Sequence, residues 1–198
     1  MSVFPDHVIA PKRALRACGL ARRSETSIVA AAAFARHLAT EGLAFAMRLR
    51  PDVVSAYFPL ANEPSTLPLI ESLVKAGVRT ALPVTGKRGS PLVFRLWRPG
   101  EPTVKGKMAI EEPLETAPAV EPDLLFVPLA AFDRSGQRLG YGAGFYDVTL
   151  ARLRAQKPIC AVGVAYASQE FPQIPREAHD QKLDYVLTER ELIDCRAG

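Results

Sequence analysis

The chain has 198 residues, 48% of them hydrophobic, which suffices for a sizeable core in one compact domain spanning 1–198 and excludes a disordered chain. Net charge is +4, from 25 basic and 21 acidic residues with no long basic run, so no nucleic-acid surface is expected. Cys18, Cys160 and Cys195 lack CxxC spacing and make an odd set, against both a disulfide framework and a zinc site. No apolar stretch follows a basic N-terminal start, and no run long enough to cross a bilayer is expected, so the reading is a soluble cytoplasmic protein with no membrane partner; a monomer is expected, although nothing in the sequence itself gives the oligomeric state.

Taken in chain order, Pro11 opens a predicted helix over 12–21, since proline at the first helical position loses nothing by lacking an N–H. Ser24 is the predicted N-cap of a longer helix reaching 47, with Gly42 as an interruption. The β-branched and aromatic run 53–58, between Pro51 and Pro59, predicts a buried strand. Ser65 or Thr66 caps the next helix, whose Leu69, Ile70, Leu73 and Val74 recur at helical spacing until Gly77 ends it. Strands are expected at 78–84 and 92–97. The proline-, glycine- and charge-rich segment 99–122 reads as an excursion with little regular structure. A strand at 124–128, a glycine-rich loop, a helix over 145–155 and strands at 159–165 and 185–188 complete the chain.

Strands alternating with helices predict an α/β fold: a single-domain, open, mostly parallel sheet flanked by helices on both faces, Rossmann-like. Ligands of such sheets sit beyond the carboxyl ends of the strands. The stretch 126–147, FVPLAAFDRSGQRLGYGAGFYD, carries the chemistry. An apolar strand enters a polar turn, then Gly140, Gly142 and Gly144 alternate directly before a helix. Such glycines let the backbone turn tightly and expose successive N–H groups, and the helix start adds its positive end, which together suit a phosphate. A P-loop would need Gly-Lys-Ser/Thr, but Phe145 follows Gly144; the dinucleotide fingerprint would need glycine where Phe145 stands. Three glycines alone also suit a tight turn that binds nothing. Arg138 favours the phosphate reading, because a guanidinium grips phosphate oxygens from the side.

The run RLGYGAGFYD, preceded by VPLAAFD, resembles the signature of the 5-formyltetrahydrofolate cyclo-ligase family, with glycine spacing, arginine, paired aromatics and aspartate in register. The likeness extends along the chain through Lys12-Arg13-Ala14-Leu15-Arg16, Tyr57-Phe58-Pro59 with Glu63 and Thr66, Ile110-Glu111-Glu112-Pro113, and His179-Asp180. The family commonly has glycine at Ala143, tyrosine at Phe145 and arginine at Val148. The last difference leaves open whether Arg152 or another cation replaces that contact.

The resemblance implies an ATP-dependent ligase of one-carbon metabolism whose partners are a reduced folate, 5-formyltetrahydrofolate, and ATP, with Mg²⁺ as cofactor. By the same resemblance Lys12, Arg16, Arg138, Leu139, Gly140, Tyr141, Gly142, Ala143, Gly144, Phe145 and Tyr146 hold ATP, and Arg138 and Lys12 are catalytic. Phe58, Glu63, Trp97 and Tyr146 would contact the folate, and Asp147 and Asp180 would ligate the metal. Read without it, Lys12 and Arg16 are two cations on one helix face, Asp147 is an acid favoured by a helix start, and Trp97 suits a satellite core equally well. The implied reaction moves the γ-phosphoryl of ATP onto the formyl oxygen, after which N10 attacks the carbon and phosphate leaves. That asks for positioning and charge neutralisation, and for no protein nucleophile. Two other readings stand beside it: an enzyme of the same fold class acting on a sugar phosphate or CoA ester, and a folate- or nucleotide-binding protein without turnover.

Overall fold

The computed structural model describes the backbone of residues 6–106 and 109–196, and the side chains from residue 11 onward within those stretches. Helix α1, Asp6–Ser24, begins before Pro11, so the proline lies inside the helix and does not open it. It forfeits one i→i−4 bond near the start of the ladder. Ser27, not Ser24, caps α2 (Ile28–Leu49), accepting the Ala30 N–H at 3.2 Å, whereas the Ser24 hydroxyl donates to Ala21 O at the end of α1. Gly42 does not interrupt α2. A Cβ there would lie 3.0 Å from Leu69 Cδ1, so its glycine lets α2 approach α3 (Leu67–Lys75) closely. By length and apolar composition alone α2 is long enough to cross a membrane, a test that a core helix also passes, and its Phe34, Leu38, Phe45 and Ala46 are core residues.

Strand β1 (Val53–Ser55) is shorter than the run 53–58 suggests. Tyr57 leaves the sheet with its hydroxyl donating to Pro64 O at 2.8 Å, and Thr66, the N-cap of α3 as expected, turns its hydroxyl to Tyr57 O instead of to the helix amides. These bonds turn Tyr57 and Phe58 into a loop at the strand's carboxyl end. Strands β2 (Arg79–Val84) and β3 (Val93–Leu96) follow. The segment 99–122, expected to be irregular, holds β4 (Thr103–Lys105) and β5 (Glu111–Pro113), which pair antiparallel, and β6 (Ala119–Val120), which pairs with β3. Next come β7 (Leu124–Pro128), the short ribbon β8 (Ala131–Phe132) and β9 (Arg138–Leu139), helix α4 (Phe145–Gln156), β10 (Cys160–Val164), a 3₁₀ turn Ala167–Gln169, and β11 (Tyr185–Leu187). A last edge strand, β12 (Leu192–Asp194), has no counterpart in the sequence reading.

The main sheet has the order β12-β11-β10-β7-β1-β2-β3-β6. Its five central strands, β11 to β2, are parallel, and β12, β3 and β6 add antiparallel edges. Strand β7 shows how both faces are covered. Leu124 and Phe126 point into a core shared with α2 and α3, while Leu125 and Val127 point into one closed by Leu150 and Leu153 of α4. The two-residue period of a strand divides its apolar side chains between the layers, so a central strand reads as a continuous apolar run. Helix α1 approaches the chain beyond β7 through Gly19, where a Cβ would overlap Ala130 O at 2.1 Å.

Candidate active site

A cavity of about 440 Å³ opens beyond the carboxyl ends of β1, β2 and β7, lined there by Tyr57 and Phe58, Pro83 and Thr85, and Pro128. The glycine loop forms one wall, contributing Gly140 to Asp147, and α1 lends Lys12, Arg13 and Arg16. Glu63, Arg138 and Asp180 reach it from three other segments. Apart from Trp97, all the residues singled out in the sequence for ATP, folate or metal lie on this one wall system.

The loop owes its shape to Gly142 (φ 92) and Gly144 (φ 73), which adopt the left-handed backbone that other residues resist. Gly144 is also the N-cap of α4, with no side-chain cap among the described residues, and the first turn of that helix, Phe145 to Asp147, lines the cavity. Ala143, where the family has glycine, is not among the residues with positive φ, and alanine fits without backbone strain. Arg16 Nε donates to Gly140 O at 2.6 Å, and its guanidinium lies under Gly142. Arg88, from the loop after β2, donates to Gly142 O at 3.3 Å. Arg152 instead pairs with Glu121 at 2.7 Å, away from the cavity. So Arg88, not Arg152, is the additional cation beside the loop.

Lys12 is 8% exposed and bridges Glu177 Oε2 at 2.7 Å and Asp180 Oδ2 at 2.6 Å. Burial alone would lower its pKa, but the hydrogen bonds it donates to Asp180 and Glu177 outweigh that and hold the ammonium above its ordinary value. Arg138 Nη2 donates to Asp147 Oδ1 at 2.9 Å, and Gln181 N donates to the same oxygen at 3.1 Å. Arg138 Nε and the Tyr146 hydroxyl are buried and have no protein partner among the described residues, although both residues line the cavity. Buried polar atoms without partners call for a ligand or water.

These contacts test the site against Mg²⁺. Asp147 Oδ2 accepts no protein hydrogen bond among the described residues, and Asp180 keeps Oδ1 beside His179 Nε2 at 3.8 Å while Lys12 and Glu177 N take Oδ2. Two carboxylate oxygens next to a phosphate-suited loop fit a hard cation that keeps waters and phosphate oxygens as its other ligands.

On the opposite wall Glu63 is buried. Its Oε2 accepts Leu60 N at 2.7 Å and its Oε1 accepts the Tyr141 hydroxyl. Behind them stands Arg23, buried in α1, which donates to the Tyr141 hydroxyl and lies 3.6 Å from Glu63 Oε1. Burial first, then the Glu63 charge, raises the Tyr141 pKa, so the phenol stays a donor. Trp97 is the correction: it does not line the cavity. It packs edge-on against Phe58 at 6.3 Å between ring centroids, donates Nε1 to Glu101 O at 3.1 Å, and lines a separate cavity of about 730 Å³ by the start of β2.

Sequence reasoning missed Arg23, Arg88 and Glu177. Arg23 had a signal: Lys12, Arg16, Gly19 and Arg23 fall at i, i+4, i+7 and i+11, one stripe of α1, and all but Arg16 are buried. Arg88 and Glu177 lie in irregular segments, where no period relates them to the site.

Comparison with known proteins gives one answer throughout. A profile of the 5-formyltetrahydrofolate cyclo-ligase family matches residues 8–189. A Mycolicibacterium smegmatis protein named 5-formyltetrahydrofolate cyclo-ligase is 34% identical over 163 residues, 78% of this chain and 82% of that protein. An Escherichia coli (strain K12) protein of the same name is 37% identical over 140 residues, covering 68% of this chain and 76% of that one. Among solved structures, Aquifex aeolicus 5,10-methenyltetrahydrofolate synthetase superposes with a TM-score of 0.73 at 29% identity, over 94% of each chain.

Proposed function

The chain belongs to the 5-formyltetrahydrofolate cyclo-ligase family of enzymes, and we propose that it closes 5-formyltetrahydrofolate to 5,10-methenyltetrahydrofolate at the expense of ATP. The observation that carries this reading is the division of one cavity. That cavity is lined both by phosphate-suited groups (the glycine loop, Lys12, Arg16, Arg138) and by the buried Glu63 carboxylate with the Tyr57, Phe58 and Tyr146 rings.

A formamide oxygen is a poor leaving group, so N10 cannot displace it unaided. The formyl oxygen attacks the γ-phosphorus of ATP, the bond to the ADP oxygen breaks, and an imino-phosphate forms at N5. N10 then adds to the formyl carbon, the C–O bond breaks towards phosphate, and the N10 proton leaves to phosphate or solvent. Inorganic phosphate departs with the former formyl oxygen, and the product carries its positive charge across N5, the bridge carbon and N10.

This chain's residues position and neutralise. Loop N–H groups and Arg16 cradle the phosphates, and Lys12 supplies a mobile point charge once the triphosphate competes with Glu177 and Asp180 for it. Arg138, anchored by Asp147 on one nitrogen and unpaired at Nε, faces the transferring group. Mg²⁺ bound through Asp147 and Asp180 would neutralise charge on the phosphates. Glu63 matches the N–H edge of the pterin, and the rings of Phe58 and Tyr146 border it.

The test mixes purified protein with 5-formyltetrahydrofolate and MgATP and follows the near-ultraviolet absorbance of the methenyl cation. Growth only with ATP supports the proposal. A folded protein that produces no growth is a binding protein, or acts on another substrate.

A further inference from the structure

The glycine loop is joined to Glu63 by a hydrogen bond between a polar and a charged group. Tyr141 lies between Gly140 and Gly142, and its hydroxyl donates to Glu63 Oε1, on the loop after β1. The same hydroxyl accepts from Arg23 Nη1, whose carbon Cζ stands 5.6 Å from the Tyr141 ring centroid. Arg23 is itself 3.6 Å from Glu63 Oε1, and the two side chains are 9% and 3% exposed. Helix α1, the loop after β1 and the glycine loop therefore meet in one hydrogen-bonded knot.

We infer that Tyr141, backed by Arg23, is a positioning residue that makes the folate site depend on the nucleotide site. The inference rests on the proposed function, in which Glu63 holds the folate and the glycine loop holds ATP. A carboxylate has about four lone-pair positions. Leu60 N takes one on Oε2 and Tyr141 takes one on Oε1, so the rotation of the group is fixed and the remaining positions are directed. Leu60 lies three residues from Glu63 and moves with it. Tyr141 belongs to the other site, and its placement changes whenever the loop moves. Nucleotide that orders the loop thus sets the Glu63 carboxylate, and folate on Glu63 favours the loop position that receives nucleotide. Coupling of this kind is reciprocal, and its usual size is about 5- to 150-fold in affinity.

The geometry makes Tyr141→Phe the informative change, because it deletes only the hydroxyl and keeps the ring over which Arg23 lies. The experiment is titration calorimetry of 5-formyltetrahydrofolate into the full-length protein, with and without Mg²⁺ and a non-hydrolysable ATP analogue. The parent protein is expected to bind folate at least about fivefold more tightly with the analogue present. In Tyr141→Phe that ratio is expected to fall to about one. A merely structural role would weaken both ligands and leave the ratio as it was. A ratio of one in the parent, or an unchanged ratio in Tyr141→Phe, overturns the inference. Glu63→Gln separates the two layers: unchanged folate affinity in that variant sinks the assignment of Glu63 to folate, and the coupling with it. Weakened affinity in Glu63→Gln with a Tyr141→Phe ratio still at the parental value sinks the coupling alone.

Discussion

The two walls of the cavity are held by different partners. On the phosphate wall, Lys12 sits on Glu177 and Asp180, Arg138 on Asp147, and Arg16 on Gly140 O. These are contacts between groups that would each bind ligand, and they can be exchanged when a triphosphate and a metal ion arrive. On the folate wall, Tyr57, Thr66 and Glu63 are tied to main-chain atoms of their own loop: Tyr57 to Pro64 O, Thr66 to Tyr57 O and Glu63 to Leu60 N. A wall tied to its own backbone keeps its main-chain course whether or not it is occupied, while the Glu63 carboxylate also accepts the Tyr141 hydroxyl from the glycine loop. The phosphate wall is thus paired and exchangeable, and the backbone of the folate wall is preorganised, with the Glu63 carboxylate answering to both. The difference suits a reaction in which the charged partner arrives with its metal and leaves changed.

The change expected to break this division most severely is Arg138→Ala. It removes the buried cation proposed to face the transferring group, and about a 1,000-fold fall in kcat/KM is expected with the near-ultraviolet circular dichroism of the fold retained. Normal turnover in that variant would contradict the role given to the phosphate wall. A smaller effect, specific to the metal, is expected for Asp147→Asn. The Mg²⁺ concentration for half-maximal rate should rise about tenfold, while the KM for folate stays within about twofold. An unchanged Mg²⁺ requirement would take Asp147 out of the metal site. Trp97→Phe sharpens the boundary of the folate wall. Because Trp97 lies behind Phe58, the folate KM should move by less than about twofold, while lost packing and the lost Glu101 hydrogen bond lower stability by about 1–2 kcal/mol. A tenfold rise in folate KM would return Trp97 to the site.

The smallest change lies far from both walls. Asp123 accepts Asp52 N, Val53 N and Lys157 Nζ at the entry to β1. Burial would raise its pKa, but the Lys157 and Val53 hydrogen bonds dominate and hold it below its usual value. A depressed carboxylate contributes stability above the unfolded-state pKa of about 3.9, and loses it as pH falls through the lower folded value. Asp123→Asn should therefore lower stability at neutral pH by about 0.5–1 kcal/mol and flatten the acid limb below about pH 4. Equal acid sensitivity in the two proteins would show that Asp123 carries no such linkage.

Much of this was legible in the sequence, for particular reasons. The parallel sheet follows from apolar runs such as Leu124–Pro128 alternating with helical periods, and the glycine loop from Gly140, Gly142 and Gly144 ahead of a helix. Lys12 and Arg16 share a face because helical spacing fixes it. What failed was local competition. Ser24 and Ser27 both suit a cap, and only geometry gives the Ala30 N–H to Ser27. Gly42 reads as a breaker, but tertiary approach of Leu69 makes it a contact. The hairpin within 99–122 is short and half exposed, so its strands show too little alternation to be read. Trp97 sits one aromatic layer behind the cavity, a depth that no spacing rule encodes. Arg23 meets Glu63 through a loop more than a hundred residues further along the chain, which spacing on α1 could suggest but not complete.

The measurement that tests the central claim most directly is the fate of the formyl oxygen. 5-Formyltetrahydrofolate labelled with ¹⁸O in the formyl group is turned over with MgATP, and the inorganic phosphate is analysed by mass. The account predicts one ¹⁸O atom in each phosphate released, because the formyl oxygen becomes a phosphate oxygen before the ring closes. Label recovered in water, with unlabelled phosphate, would contradict it.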